Sequence, residues 1–375
     1  MSHEDLLRVI HPVEGRGAVS NLPGRFERRP VEPFDDGWGA GDPPVCKIAT
    51  EAIPEASRTI LTRNESPDIP FDVSINPYKG CEHGCVYCFA RPTHSYLGLS
   101  PGLDFESRLF SKPDAARLLQ RELRRAGYRC EPIALGSNTD PYQPVERDLR
   151  ITRGILEVLA GHRHPVTIVT KSDGVLRDLD LLAPMARQRL VSVMISITTL
   201  ERRLARRMEP RAPAPDRRLA AIRALRAAGV PVGVLASPMI PGLNDAELEA
   251  ILAAASAAGA RSAAYILLRL PHELKELFTE WLESNYPLRS GHVLSLIRQA
   301  RGGRLNDGTF GARMRGGGPH AEMLRRRFEV ARRRSGLDRV PAPLDTTRFR
   351  VPAALGDQLR LFETGAEAGR SGPRP

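Results

Sequence analysis

Three of the five cysteines in this 375-residue chain lie within eight residues of one another. Cys81, Cys85 and Cys88 stand in the segment NPYKGCEHGCVYCFARPTHSYLG, at intervals of four and then three residues. An odd set of closely spaced thiols does not suit a disulfide framework, whereas soft thiolate ligands suit zinc or iron–sulfur centres. Structural zinc sites and cluster-binding electron carriers normally use four protein ligands, so three thiolates would leave one metal position open to a small molecule.

Two histidines of the same segment offer an alternative. His83 or His94 would close a zinc site as the fourth ligand, and a third interpretation treats the thiols as small buried side chains. His83 lies between two of the cysteines and would have to fold back sharply to reach the same metal ion. The spacing therefore favours an iron–sulfur centre. Cys46 and Cys130 stand apart in the sequence, and we expect neither to bind the metal.

The residue before the last of the three cysteines is aromatic. With Tyr87 in that position, Cys81-x-x-x-Cys85-x-Tyr87-Cys88 resembles the signature of the radical S-adenosylmethionine (SAM) superfamily. The resemblance implies a 4Fe-4S cluster on the three cysteines, with SAM bound to the open iron through its amino and carboxylate groups and with Tyr87 among the cofactor-binding residues. It also implies that one electron from a reductase or a flavodoxin- or ferredoxin-type donor cleaves SAM to a 5′-deoxyadenosyl radical, which abstracts hydrogen from a substrate.

Four further motifs narrow the resemblance to one branch. GSNTDPYQPVE, TKS, SITT and MEP are similar to motifs of the spore photoproduct lyase-like (DNA repair photolyase-like) group, over residues 72–270. The likeness implies that the loop of Gly136, Ser137, Asn138 and Thr139 meets the methionine end of SAM, that Lys171 meets its carboxylate, and that Ser196 or Thr198 meets its ribose. Lys171 has independent support, because it is a compact cation among many arginines; a solvated surface lysine is the alternative.

One position departs from this branch. Spore photoproduct lyases place a hydrogen-donating cysteine directly before the serine of the first motif, and here that position is Gly136. Cys130 lies six residues earlier, which in extended chain spans about 20 Å. We therefore expect Cys130 to be a buried strand residue, and the sequence disfavours reversal of thymine dimers through such a cysteine.

Two further segments, each predicted to be a loop after a strand, have two interpretations each. Asp140, Tyr142, Gln143 and Glu146 follow the second strand, where they would orient substrate as catalytic candidates or build a turn around the neighbouring prolines. The segment SPMIPGLND follows the fifth strand, where its two apolar residues, 239 and 240, would back the adenine ring or enter the core.

The elements that must position these residues alternate along the chain. β-rich runs fall at 72–76, 132–137, 165–172, 191–198, 231–237 and 263–270, and stretches with apolar residues at helical spacing lie between them. Strands that alternate with helices are typical of parallel sheets with right-handed crossovers. The pattern predicts an α/β fold, a partial (β/α)6 barrel, with a doubly wound open sheet as the alternative. In a barrel, the cysteines and the polar strand ends share the carboxyl-terminal face, where barrel enzymes keep their sites.

The regions outside the barrel differ in composition. We expect an irregular extension over 1–70, a radical SAM barrel over 71–285, a basic helical region over 286–340 and a partly disordered tail over 341–375. In the basic region Leu324, Phe328 and Ala331 would share one helix face.

The charge balance points to an anionic partner. The chain carries 55 basic and 44 acidic residues, a net +11, and between positions 298 and 334 eleven arginines face only three acids. Such a field is typical of phosphate-backbone contacts, so nucleic acid is the first candidate substrate. A solvated helix face is the alternative for these arginines. A non-catalytic iron–sulfur or zinc protein that binds nucleic acid, and a radical SAM enzyme acting on a peptide or small metabolite, are the other candidate functions.

The sequence contains neither a long apolar run nor a basic start followed by an apolar stretch. It therefore predicts no membrane span and no secretory signal, and a cytoplasmic location. The sequence does not determine the oligomeric state.

Overall fold

The computed structural model describes residues 13–27 and 48–353. Within them, the strands are β1 (Glu51–Pro54), β2 (Leu61–Arg63), β3 (Val73–Ile75), β4 (Tyr78–Lys79), β5 (Arg108–Ser111), β6 (Ile133–Leu135), β7 (Val166–Thr170), β8 (Val191–Ser196), β9 (Val232–Met239) and β10 (Ala263–Leu267). The α-helices are α1 (Leu103–Ser107), α2 (Ala115–Leu123), α3 (Glu146–Leu149), α4 (Ile151–Gly161), α5 (Leu179–Arg187), α6 (Arg202–Met208), α7 (Pro215–Ala227), α8 (Leu248–Ala257), α9 (Leu274–Asn285), α10 (Pro287–Ala300), α11 (Ala312–Arg315) and α12 (Gly318–Arg334).

Seven strands form the main sheet, in the order β10-β9-β8-β7-β6-β3-β2. Six of them are parallel to their neighbours, and each overlaps one of the six strands predicted from the sequence. β2 adds an antiparallel edge beside β3. The sheet does not close, since β2 and β10 are its two edges. The prediction of a partial (β/α)6 barrel is therefore confirmed, and the carboxyl ends of its parallel strands form what we call the mouth.

The strands present alternate residues to the two faces of the sheet. On β7, Val166 and Ile168 are buried among the surrounding helices, while Thr167 and Val169 lie between them and are partly exposed. Register places Thr167 beside Ser192 of β8, so the half-exposed residues of the two strands form rows on one face of the sheet. The apolar residues on the other face bind the helices, at about 1.5–3 kcal/mol for each large side chain fully buried.

A second, three-stranded sheet has the order β1-β5-β4 and lies beside the beginning of the barrel. Its strand β1, like β2 of the main sheet, falls within residues 1–70, which the sequence analysis expects to be irregular. That expectation is wrong for these two segments. Each is only three or four residues long and contains polar residues, so its conformation depends on pairing with β5 or β3 rather than on a local pattern.

The carboxyl-terminal helices form a second core at the edge of the barrel. Phe278 and Trp281 of α9 stack at 5.7 Å between ring centres and pack with residues of α10. On α12, Leu324, Phe328 and Ala331 are all buried, which confirms the predicted shared face. Of the expected tail, residues 341–353 are described, and its remainder, 354–375, lies outside the described residues. No helix in the described ranges has the length and apolar character needed to cross a membrane.

Candidate active site around the cysteine loop

The cysteine loop, residues 80–90, joins β4 to a short 3-10 helix at Arg91–Leu97, near the carboxyl end of β3. Cys81 and Cys85 are buried, Cys88 is partly buried, and none of them forms a disulfide. Gly84 turns the loop at φ +67°, and a Cβ there would lie 2.6 Å from a Glu106 carboxylate oxygen. A glycine is required at this position because both the backbone conformation and the space exclude a side chain.

A buried ion pair holds the loop from beneath. The Arg91 guanidinium donates from Nε to the carbonyl oxygen of Cys85 at 2.9 Å, and from Nη1 to the carbonyls of Pro101 and Gly102. Its Nη2 bonds the Glu106 carboxylate, and both side chains are fully buried. The bond to Cys85 fixes the backbone of the cysteine loop, and the other three tie Arg91 to the segment at 101–106. The sequence analysis missed both residues, because their pairing becomes apparent only when the helix after the loop folds back.

The amino-terminal segment, residues 13–27, covers the cysteine loop. The backbone N–H groups of Gly17 and Ala18 donate to the two Glu106 carboxylate oxygens, at 2.9 and 2.8 Å. A Cβ on Gly17 would lie 1.8 Å from the carbonyl oxygen of Gly84, so the two backbones touch. Val19 packs in the same apolar cluster as Cys85. The segment is thus part of the wall around the loop.

The thiols lie in surroundings that oppose a bare negative charge. Burial raises the pKa of Cys85 to about 12, although Lys171 acts against the shift. Burial also raises the pKa of Cys81 and of Cys88 above the usual value. Thiolates at these positions need a bound cation, and the iron of an iron–sulfur cluster supplies one. The chemistry of the donor set therefore fits a cluster.

The two histidines of the zinc alternative are engaged elsewhere. The His94 Nε2 atom lies 3.0 Å from the carbonyl oxygen of Arg108, and the His83 Nδ1 atom lies 3.4 Å from an Asp140 carboxylate oxygen. Among the described residues, no three His, Cys, Asp or Glu side chains converge on one metal ion. A cubane does not require that convergence, because each of its cysteines binds a different iron.

Lys171 and three predicted SAM contacts form one polar group at the mouth. The Lys171 ammonium donates to the Ser196 hydroxyl at 3.2 Å and lies 5.7 Å from the centre of the Tyr87 ring. The hydroxyl groups of Tyr87 and Thr198 are 3.1 Å apart. Burial lowers the pKa of Lys171, but the Cys85 thiol and the Glu209 carboxylate outweigh burial and raise it. These contacts do not favour the alternative in which Lys171 is a solvated surface lysine.

Glu209, from the MEP motif, lies beneath this group. Its carboxylate accepts from the hydroxyls of Tyr87 and Thr198 and pairs with Arg218, which is also buried. Burial raises the pKa of Glu209, but Arg218 and Lys171 lower it, to about 2. Glu209 is an additional functional candidate. Its motif was visible in the sequence, yet only the fold brings it to Tyr87, 122 positions away.

Hydrogen bonds connect the loop after β6 to the segment that follows β3. The Asn76 side chain contacts the Ser137 hydroxyl at 3.3 Å and accepts from the Asn138 N–H at 3.0 Å, while Thr139 donates to the carbonyl oxygen of Tyr78. Gly136 has a φ of +88°, and a Cβ there would lie 2.2 Å from a β7 carbonyl oxygen. The tight turn therefore presents its backbone toward the mouth.

All four candidates of the loop after β6 have partners within the protein, and Glu146 bonds the Tyr78 hydroxyl and pairs with Arg177. Asp140 accepts from the Thr170 hydroxyl and from the Lys171 N–H, at 2.6 and 2.8 Å. The Tyr142 hydroxyl donates to a buried aspartate, Asp178, at 3.0 Å. Gln143 accepts from the Glu82 N–H and donates to the Gly80 carbonyl, which ties it to the cysteine loop. These contacts favour a role in positioning the two loops.

Three remaining expectations can be compared with the structure. Cys130 is partly buried and lies before β6 rather than within it, so the expectation of a buried strand residue is wrong. Met239 and Ile240 are fully buried in the two apolar cores, which favours the packing interpretation of their loop. Cys46 lies outside the described residues.

Comparison with known proteins adds family evidence to this geometry. Residues 75–255 match the radical SAM superfamily. An uncharacterised protein of Mycobacterium tuberculosis is 37% identical over 322 residues, which span 85% of this chain and 87% of that protein. An uncharacterised protein of Methanocaldococcus jannaschii is 31% identical over 173 residues, 46% of this chain and 62% of its own length. The chain belongs to the radical SAM superfamily. It is accordingly a radical SAM enzyme, and the family implies SAM and an iron–sulfur cluster.

The fold of this radical SAM enzyme is also found among solved structures. A spore photoproduct lyase variant superposes with a TM-score of 0.53 and 17% sequence identity, over 76% of this chain and 80% of that one. At this level of identity the similarity shows the fold. It confirms the expected architecture and leaves the reaction of this radical SAM enzyme open.

Proposed function

We propose that this enzyme holds a 4Fe-4S cluster on Cys81, Cys85 and Cys88, cleaves SAM reductively beside it, and abstracts hydrogen from a nucleic-acid substrate. The supporting observation is that three unpaired thiols lie on one buried loop at the mouth, next to the Lys171 ammonium. When bound, the cluster supplies the electron with which radical SAM enzymes cleave SAM. An electron donor of the reductase, flavodoxin or ferredoxin type is part of the proposal.

The residues around the thiols have distinct tasks in this proposal. Lys171 pairs with the SAM carboxylate, because its ammonium has no carboxylate within 4.0 Å among the described residues and needs an anionic partner. Ser196 or Thr198 bonds the ribose, and the Gly136–Thr139 backbone binds the methionine end. Glu209 keeps the Tyr87 and Thr198 hydroxyls oriented.

The nucleic-acid part of the proposal rests on what we call the arginine groove. Arg315, Arg325, Arg326 and Arg332 line it, together with the edge strand β10. The first three are exposed and have no carboxylate partner within 4.0 Å in the described part of the chain. Arginines in such a row contact phosphates and release counterions. Three other arginines of the region already have an acidic partner. Asp68 pairs with Arg313, Glu249 with Arg327 and Glu329 with Arg332.

Anaerobic reconstitution tests the cofactor. We expect a brown, oxygen-sensitive protein with about four iron and four sulfide per chain. With dithionite and SAM it should release 5′-deoxyadenosine. Alanine at Cys81, Cys85 or Cys88 should remove both the colour and this product, whereas Cys130→Ala, the matched control, should retain them. Stoichiometric zinc without sulfide in the wild-type protein would contradict the proposal.

Substrate assays separate the alternatives. Single-stranded DNA, RNA, a mixed peptide pool and a nucleoside pool are each incubated with the reconstituted enzyme and SAM. The expected result is product formation, or deuterium transfer into 5′-deoxyadenosine from a deuterated substrate, with the nucleic acids. Transfer from peptides or nucleosides alone would show that the enzyme acts on another substrate class and would overturn the nucleic-acid assignment.

A further inference from the structure

A second cationic site lies beside the cysteine loop, just after the carboxyl end of β10. Arg269 follows the carboxyl end of β10, and its guanidinium carbon lies 5.3 Å from the centre of the Phe89 ring. Phe89 directly follows Cys88, and 45% of its surface is exposed to solvent. The guanidinium and an exposed aromatic face therefore meet beside the last cysteine.

The Arg269 guanidinium has few acceptors. Within the described residues its side chain donates only to the Met314 sulfur at 3.6 Å, and no carboxylate oxygen lies within 4.0 Å of it. Burial lowers the pKa of Arg269 and the Arg313 charge lowers it further, while the Asp68 carboxylate acts in the opposite direction. A partly buried cation without a carboxylate is costly, so this site favours an added anion.

A second arginine increases the local positive charge. Arg301 is only 2% exposed and donates to the carbonyl oxygens of Leu267, Leu268 and Ala312. Burial and the nearby Arg269 lower the pKa of Arg301 to about 10, and Asp307 opposes that shift from a distance beyond direct contact. The backbone carbonyls accept from both Nη groups of Arg301 but leave its buried Nε atom without an acceptor among the described residues, and its charge without a counterion.

The acids of the neighbourhood do not neutralise this pair. Asp68 bonds the Arg313 guanidinium and the Gly311 N–H, and its charge is thereby matched. Arg313 in turn lies over the ring of Phe310, with 4.7 Å to its centre, and that ring is 56% exposed. The site thus combines excess positive charge with two exposed aromatic rings.

We propose that Arg269 binds a phosphate group of a nucleic-acid strand whose base stacks on Phe89. The inference rests on the proposed function and specifies its substrate subsite. Aromatic faces beside guanidinium groups are the recurring means of holding single strands. Arg315 supports continuity, because it shares the short helix α11 with Arg313 and also lines the arginine groove. The strand would run from that groove to the cysteine loop.

Binding to the reconstituted, full-length enzyme tests this subsite. The probe is a fluorescein-labelled single-stranded DNA of about twelve nucleotides, followed by anisotropy between about 50 and 200 mM salt. Arg269→Gln should weaken binding about tenfold and reduce the salt slope by about one. Arg269→Lys, which keeps the charge, should lose less. Phe89→Leu should also weaken binding about tenfold but leave the salt slope unchanged.

Arg125→Gln is the matched control, because Arg125 is exposed after α2, outside the site and the groove, and the substitution removes the same charge. Equal binding by Arg269→Gln and Arg125→Gln would overturn the inference. Inorganic phosphate is titrated separately; phosphate binding that depends on Arg269, with unchanged oligonucleotide binding, would indicate a free-anion site and also overturn it.

Iron content and 5′-deoxyadenosine release without substrate distinguish this inference from the proposed function. Both should be the same in wild type and Arg269→Gln. A wild-type enzyme that lacks the cluster would refute the proposed function directly. A wild type that cleaves SAM, beside an Arg269→Gln variant with wild-type DNA affinity, would refute only the subsite.

Discussion

The ion pair of Arg91 and Glu106 allows a quantitative test of how the cysteine loop is held. Arg91→Met removes four hydrogen bonds while keeping much of the side-chain volume. Breaking a buried pair from one side costs about 3–5 kcal/mol. Glu106 would still accept from the N–H groups of Gly17 and Ala18, so its charge is not left without donors. We therefore expect a loss at the lower end, about 3 kcal/mol.

Urea unfolding of the metal-free chain measures this loss. Tryptophan fluorescence is a suitable signal, because Trp281 is buried in the same apolar cluster as Cys85. Arg117→Met is the control, since Arg117 forms an exposed pair with Asp114 at 3.1 Å and should show no measurable loss. Because Arg91 also bonds the Cys85 carbonyl, Arg91→Met should retain less iron after reconstitution than the control.

A loss below about 1 kcal/mol for Arg91→Met would refute the reasoning, since a pair that weak behaves as an exposed one. A double-mutant cycle with Glu106→Gln provides the second check. If the effects of the two substitutions are additive, the pair does not act as a unit. In that case the loop is held by its apolar contacts rather than by the ion pair.

Three further predictions follow from the site, the groove and the base of the barrel. Lys171→Met should weaken SAM binding at least about tenfold with unchanged iron content, measured by equilibrium dialysis; equal loss in Lys275→Met, an exposed control on α9, would contradict the role of Lys171. Replacement of Arg325, Arg326, Arg332 and Arg333 by glutamine should weaken DNA or RNA binding and flatten its salt dependence; an unaltered slope would assign these arginines to solvation. Burial lowers the pKa of His164 to about 4. Between about pH 6.5 and 4 the unfolded chain therefore binds a proton at His164 that the folded chain does not bind. The free energy of unfolding should fall by up to about 3 kcal/mol as the pH drops through this range. His164→Gln should lose this part of the pH dependence in urea titrations; an identical profile would show that His164 does not titrate as expected.

The parallel strands were accessible to sequence analysis because their signal is local. Segments such as VTIVT and VSVMIS are short runs rich in β-branched and apolar residues, and every second residue of each strand is buried. The cysteine spacing was equally informative, since ligand geometry within eight residues depends little on the rest of the fold. The SAM contacts implied by the family resemblance, including Lys171 and Ser196, lie together in the structure.

The buried charged residues that hold the site in place could not be predicted from the sequence in this way. Glu106, Arg218 and Arg91 are charged residues that a sequence pattern assigns to the surface, and they are buried only because each finds its partner after folding. The eleven arginines near the carboxyl-terminal helices show the same limit. Their number was visible in the sequence, but the pairing of one of them, Arg313, with Asp68 depends on a contact between segments 245 positions apart.

The position of residues 13–27 over the cysteine loop has a consequence for synthesis on the ribosome. Arg16 bonds the Glu106 backbone, 90 positions later, Arg25 pairs with Glu273, 248 positions later, and Ser20 donates to Glu280, 260 positions later. At about 5–20 residues per second, these last partners emerge roughly 12 to 50 seconds after the segment itself. The wall over Cys85 is therefore completed only after α9 has been synthesised, and until then this side of the cysteine loop stays uncovered in the nascent chain.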